Sequence, residues 1–170
     1  MSSDDSDAST LTPFERIKAF WEFVHKERSE FFDAAVKDHL QLVSAHLDPN
    51  DRNIGYSTFE FVVPRSLCNQ GGNLHGGAVA LIFDLCTSMT VPVVAREGYW
   101  DTGHVSRTLN CSYMRPAPEG TTVVVESEVV HLGKSLGMLR GVMRRKDDGA
   151  VCYSCEHHKA KVEWRPRFKL

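Results

Sequence analysis

The sequence predicts an α+β domain in which an antiparallel sheet curves around one long central helix, and three observations carry that prediction. Residues 76–91 are apolar nearly all the way round, a pattern stable only when a helix is buried on every side. Four segments of strand composition follow, at about 104–114, 121–131, 136–145 and 150–162. The stretches between them are turn chemistry: Pro116-Ala117-Pro118-Glu119-Gly120, Gly133-Lys134 and Asp147-Asp148-Gly149. Connections this short favour antiparallel pairing of neighbours, and a curved sheet is the economical cover for a helix with no polar face.

The elements follow in order. Residues 1–12 are small, polar and acidic, too poor in apolar groups to offset the entropy of ordering, so a mobile tail is expected. Phe14, Ile17, Trp21 and Val24 then recur at helical spacing, and Phe32, Val36, Leu40, Val43 and Leu47 do so again. Two amphipathic helices are expected in an extension over 13–50, with Phe20, Trp21, Phe23, Phe31 and Phe32 as their packing residues. Asp48-Pro49-Asn50-Asp51 breaks the period, and the main domain is expected over 51–164. It begins with a strand over 56–63 that ends at Pro64, and Gly76-Gly77 opens the central helix after a loop over 66–74. A basic tail over 165–170 closes the chain.

Composition narrows the function. The 170 residues are 42% hydrophobic and 25% charged, ordinary usage for one domain. A net charge of -2 and a pI near 6.4 supply no field that draws nucleic acid or an anionic membrane, so an anionic ligand must be held by local groups. The N-terminal helices also lack the clustered basic face of a DNA-binding module. The apolar run 78–94 contains Asp84 and Pro92 and falls short of the roughly 20 residues of a bilayer span, so no membrane span is expected. Cys68, Cys86, Cys111, Cys152 and Cys155 form an odd set without a secretory leader and are expected to be reduced. An acidic start without arginines points to the cytoplasm, with a mitochondrial location left open.

The chemistry concentrates in Asn69-Gln-Gly-Gly-Asn-Leu-His75-Gly76-Gly77-Ala-Val-Ala-Leu-Ile-Phe-Asp84, followed by Val105-Ser106 and Tyr113-Met114-Arg115-Pro116-Ala117. This combination, over about residues 54–162, resembles hotdog-fold thioesterases of the phenylacetate-pathway and acyl-coenzyme A thioesterase 13 type. The resemblance implies hydrolysis of acyl-coenzyme A to acid and thiol by a homodimer or dimer of dimers, with no metal and no cofactor. It also implies roles: Asp84 as general base or nucleophile, Ser106 placing water, the Gly76 amide polarising the carbonyl, and Asn69 and His75 completing the pocket. The extension over 13–50 is extra to that pattern, and covering the acyl entrance, adding to the dimer or contacting the nucleotide are its open roles.

The residues support these roles on physical grounds. A thioester carbonyl becomes an oxyanion during attack and needs preorganised donors; a helix start offers free amides, and glycine at 76 and 77 allows close approach. Asp84 is the one ionised side chain expected between 78 and 94, where an unpaired carboxylate costs several kcal/mol. Gly76 and Asp84 are eight residues apart, or roughly 12 Å along a helix, too far for one carbonyl to touch both. If both act on one thioester, the second group must come from an antiparallel helix of a neighbouring subunit, across a twofold interface. Lys134, Ser135, Arg115, Arg144, Arg145 and Lys146 are candidates for the coenzyme A phosphates, with Gly77 at the substrate.

The same residues admit other roles. Asp84 as a structural acid would bond Thr87 or Ser88, and His75 could act as base, as carbonyl donor or as helix-start residue. Cys152-Tyr-Ser-Cys155-Glu-His157-His158 imitates a zinc site, but strand alternation sends each pair to opposite faces. No Gly-x-Ser-x-Gly elbow occurs, which argues against a serine nucleophile. A hydratase or dehydratase acting on enoyl or hydroxyacyl thioesters, or a non-catalytic acyl-coenzyme A binding module, are the rival functions.

Overall fold

The computed structural model describes residues 11–25 and 32–163. The tail expected over 1–12 therefore lies almost wholly outside the described residues, as do Phe31, the side chains of Phe23 and Val24, and the basic tail. Helix α1 (Pro13–His25) and the short α2 (Ala34–Lys37) precede strands β1 (Gln41–Leu47) and β2 (Gly55–Val62). Central helix α3 (Gly76–Val94) is followed by β3 (His104–Tyr113), β4 (Thr122–Leu132), β5 (Leu136–Arg145) and β6 (Val151–Lys161).

The six strands form one antiparallel sheet in the order β1-β2-β4-β5-β6-β3, curved around α3. Helix α3 is long and apolar enough to cross a membrane, yet ten of its residues, among them Val79, Ile82, Phe83 and Cys86, are buried in this protein. They meet the inward residues of the strands, Phe59, Val125, Leu139 and Met143. Two buried hydroxyls tie helix to sheet: Ser57 Oγ lies 2.7 Å from Thr90 Oγ1, which donates to the Cys86 carbonyl.

Three expectations are corrected. Residues 41–47 form β1, not the end of a second amphipathic helix; Val43 and Leu47 satisfy a helical period by coincidence, and backbone pairing with β2 decides the conformation. The sheet therefore begins ahead of residue 51. Helix α3 runs three residues beyond 91, carrying Pro92 within it. Finally, β3 pairs with β6 and not with its sequence neighbour β4; only β4, β5 and β6 form a meander. The crossing segment after β3 is tied down by Leu74 N–H donating to the Ala117 carbonyl at 2.8 Å.

Helix and sheet also approach closely at Gly141 of β5, where a Cβ would lie 2.7 Å from Phe83 Cδ1 and 2.9 Å from Cys155 Sγ. Neither atom has room to retreat, since Phe83 is fully buried and Cys155 nearly so. Gly141→Val is expected to destabilise the fold by about 2 to 3 kcal/mol through overpacking. Urea denaturation checks this, and an unchanged midpoint would remove the close-approach argument.

Candidate active site

The start of α3 is built by the loop before it. The Asn69 side-chain oxygen accepts from Gly71 N–H at 2.9 Å and Asn73 N–H at 3.2 Å, an Asx-type turn that fixes the side chain. Its amide NH2 is the end suited to donate toward a substrate. His75 is the N-cap, its Nδ1 accepting from Gly77 N–H at 2.9 Å. That bond requires an unprotonated Nδ1, so His75 serves first as the helix-start residue and presents Nε2–H outward. Gly76 needs no special backbone conformation, and a Cβ there would meet only the Tyr113 ring, at 3.5 Å.

Two turns along the same helix, Asp84 stands at the edge of the core with its side chain 40% exposed. Ser106, on β3, donates to Asp84 Oδ1 at 2.7 Å. A bulge in the β3–β6 ladder between Ser106 and Thr108 places Ser106 opposite Lys159, and bulges of this kind commonly re-aim side chains beside active sites. Two buried β6 residues complete the cluster. His157 Nε2 lies 2.9 Å from Ser106 Oγ and 3.4 Å from Asp84 Oδ1. Lys159 Nζ donates to Ser106 Oγ at 3.0 Å and to Ser88 Oγ, and is 3.8 Å from Asp84 Oδ1.

Proton counting sets the roles in this network. Thr87 donates its one hydroxyl proton to the Phe83 carbonyl at 2.6 Å, so it accepts from His157 Nδ1–H at 2.7 Å. The neutral imidazole then keeps a bare Nε2 facing Ser106, and that nitrogen and Asp84 Oδ1 share the one Ser106 hydroxyl proton. Ser88 likewise donates to the Asp84 backbone carbonyl. The hydroxyls of Thr87 and Ser88 thus do not hold the Asp84 carboxylate, contrary to the structural reading of that acid. Burial, reinforced by the Lys159 charge, pulls His157 down to about 4, Asp84 opposing. Burial also lowers Lys159 to about 8, again against the pull of Asp84. At neutral pH the cluster is a carboxylate and an ammonium bridged by one hydroxyl, beside a neutral histidine.

This state has a pH signature. His104, on β3, is also pulled down to about 4, by burial first and then by the Lys159 charge. Unfolded histidines take up protons near pH 6.5, the folded pair only near 4. Between those values the unfolded chain binds more protons, so stability falls as pH drops through the window, at roughly 1 kcal/mol per pH unit for each histidine. Denaturation midpoints between pH 7 and pH 4.5 should show this slope, reduced in His157→Gln; a flat wild-type profile would contradict it.

The remaining sequence candidates divide. Arg115 donates to the Val151 carbonyl at the Gly76 end of β6, whereas Ser135, beside Lys134, accepts from Lys161 N–H at its other end. Ten residues of strand separate these ends, roughly 33 Å, so within one chain Arg115 and Lys134 do not share a phosphate. Arg144 stands on the outward face, bonded to Glu126 at 2.9 Å, and does not join the Asp84 cluster. Arg145 and Lys146 are likewise paired, with Asp148 and Glu60. Cys152 packs near the Pro116 carbonyl while Cys155 lies under Phe83, and all five cysteines are free thiols. Among the described residues no group of His, Cys, Asp and Glu could hold a metal.

His157 and Lys159 are the residues that the sequence reading missed. Alternation along β6 places Cys155, His157 and Lys159 on one buried face. A lysine and a histidine on the inward side of a strand were the signal, since such groups are seldom buried without partners.

The thioesterase superfamily model matches residues 71–152, a stretch that holds Gly76, Asp84 and Ser106. That stretch is a little under half of the 170 residues. Mouse acyl-coenzyme A thioesterase 13 is 28% identical to this chain over 100 residues, 59% of the chain and 69% of the mouse protein. A Caenorhabditis elegans protein, F42H10.6, whose name proposes an esterase, is 30% identical over 107 residues. That match takes in 63% of the chain and 61% of the worm protein, so less than two thirds of that relative is spanned. Among solved structures, zebrafish thioesterase superfamily member 2 aligns with a TM-score of 0.74 at 24% identity, covering 90% of this chain and all of that one. The Escherichia coli PaaI protein of the phenylacetic acid degradation operon aligns at 0.63 and 15% identity, over 86% and 98% of the two chains. These likenesses establish the hotdog fold for this chain.

Proposed function

We propose that the protein hydrolyses acyl-coenzyme A thioesters, with Asp84 activating the attacking water and Gly76 polarising the carbonyl. The observation that carries this is a carboxylate kept on an otherwise uncharged core helix, partly open to solvent and bonded to Ser106. Water held between Asp84 and Ser106 gives a proton to the carboxylate as its oxygen attacks the thioester carbon. The oxyanion that forms takes donors from the helix-start amide of Gly76 and the amide of Asn69. Its collapse breaks the carbon–sulfur bond, and the departing thiolate takes up the proton, leaving acid and coenzyme A. Lys159 and His157 act through Ser106 and Asp84 as positioning residues.

One unbroken helix carries both Gly76 and Asp84, so the roughly 12 Å separation along its axis makes a homodimer the working unit. Edge strand β3 supports this reading: it carries Ser106, and its Val105 and Tyr113 are about half exposed. His157 beside Asp84 is the one feature that suits hydration of an enoyl thioester instead, a reaction in which a histidine and an acid share proton transfer. Release of free thiol from purified protein and saturated acyl-coenzyme A tests the proposal. Loss of enoyl absorbance without thiol release would replace it with the hydratase reading, and tight binding with neither change would leave a binding module.

A further inference from the structure

A cavity of about 690 Å³ lies between α1 and the C-terminal half of α3, within the size range of small-molecule pockets. Its walls are mainly apolar, from Leu11 and Phe20 on one side and Val91, Pro92 and Trp100 on the other. The charged groups around it are largely engaged. Arg16 caps the end of α3 by donating to the Ala95 carbonyl at 3.0 Å, Asp101 accepts from Gly98 N–H and faces Lys161, and Arg96 lies 4.0 Å over the Tyr99 ring. Glu97 is exposed.

Two features connect this cavity to the Asp84 cluster. Its lining residue His104 is two positions from Ser106 on the same strand and lies within the electrostatic reach of Asp84 and Lys159. Val91 follows Ser88, the Lys159 partner, by three residues. Measured along α3, the cavity wall from Val91 to Ala95 runs from roughly 10 to 16 Å beyond Asp84. A neutral His104 puts no charge in the path of an apolar chain. Trp100, whose indole donates to the Gly133 carbonyl at 2.8 Å, is the one non-glycine residue at positive φ, 54°, among those described. A bulky side chain held in that conformation marks a wall fixed against its own backbone preference.

We propose that this cavity receives the distal part of a long, saturated acyl chain, and that α1, outside the segment the family model matches, sets the chain length accepted. The inference rests on the thioesterase reading for its substrate and deepens it. A short or phenylacetyl group held at Asp84 would not extend to the α1 wall; a long straight chain would.

The test measures kcat/KM for hexanoyl-, tetradecanoyl- and octadecanoyl-coenzyme A in wild type, Ala19→Trp and Phe20→Ala. Ala19 is exposed and lines the cavity, so tryptophan there fills it from the side of α1. Excluding about two methylenes is expected to lower the tetradecanoyl-to-hexanoyl ratio about tenfold. Phe20→Ala enlarges the cavity and should move the ratio the other way for chains longer than tetradecanoyl. Equal effects on every substrate, or none in either variant, would overturn the assignment. If no acyl-coenzyme A is hydrolysed by wild type, the functional proposal fails, and calorimetry with tetradecanoyl-coenzyme A against coenzyme A alone decides the cavity separately. Tighter binding of the acylated ligand, abolished by Ala19→Trp, supports it, and equal binding of the two ligands overturns it.

Discussion

Asp84→Asn protein is expected to fold and assemble as wild type does while losing acyl-coenzyme A hydrolysis by about 10² to 10⁴, the scale of general-base catalysis. The carboxamide has nearly the shape of the carboxylate and keeps an oxygen for Ser106, but it cannot take the proton of an attacking water. Lys159 loses its counter-charge and keeps the hydroxyls of Ser88 and Ser106 as partners, so the ammonium is not stranded in the core. Circular dichroism, size-exclusion chromatography and a thiol-release assay on one preparation separate the outcomes. Turnover equal to wild type would refute the assignment of Asp84, and loss of turnover together with loss of fold would move its role from chemistry to structure.

Mixing two inactive variants is expected to restore activity. A dimer formed from one Asp84→Asn chain and one Asn69→Ala chain has one site with neither group and one site with both, if each site takes Asp84 from one subunit and the Asn69 loop from the other. That hybrid should show about half the turnover of a wild-type dimer, as the twofold arrangement requires. Sites built within single chains would each be missing one group, and the hybrid would be as inactive as its parents. Differently tagged chains, co-expressed and purified through both tags, provide the sample. The result bears on assembly as well as chemistry, because Gly76 and Asp84 are held apart by the rigid rise of the one helix carrying both.

Sequence by itself determined the central helix, the four strands after it and the position of its acid. A helix apolar on all sides must be wrapped, strands of alternating pattern must expose one face, and a charge retained amid such a helix requires partners. The His75-Gly76-Gly77 start and Asp84 could be placed because their spacing lies within a single element, where geometry is local.

Tertiary structure decided what depends on residues far apart in the chain. Residues 41–47 carry an apolar pattern open to either period, and the backbone partners offered by β2 make them a strand. Strand β3 joins β6 across nearly forty intervening residues, and only that pairing sets Ser106 opposite Lys159 and His157 near Asp84. His157 reads in sequence as half of a His-His pair in an imitation zinc motif; burial against Thr87 makes it a neutral member of the Asp84 cluster. The wall that α1 builds over the end of α3 is equally non-local, resting on Arg16 reaching Ala95. The physical reason is the same in each case: periodicity states which face of an element is buried, and only the folded chain states what is buried against it.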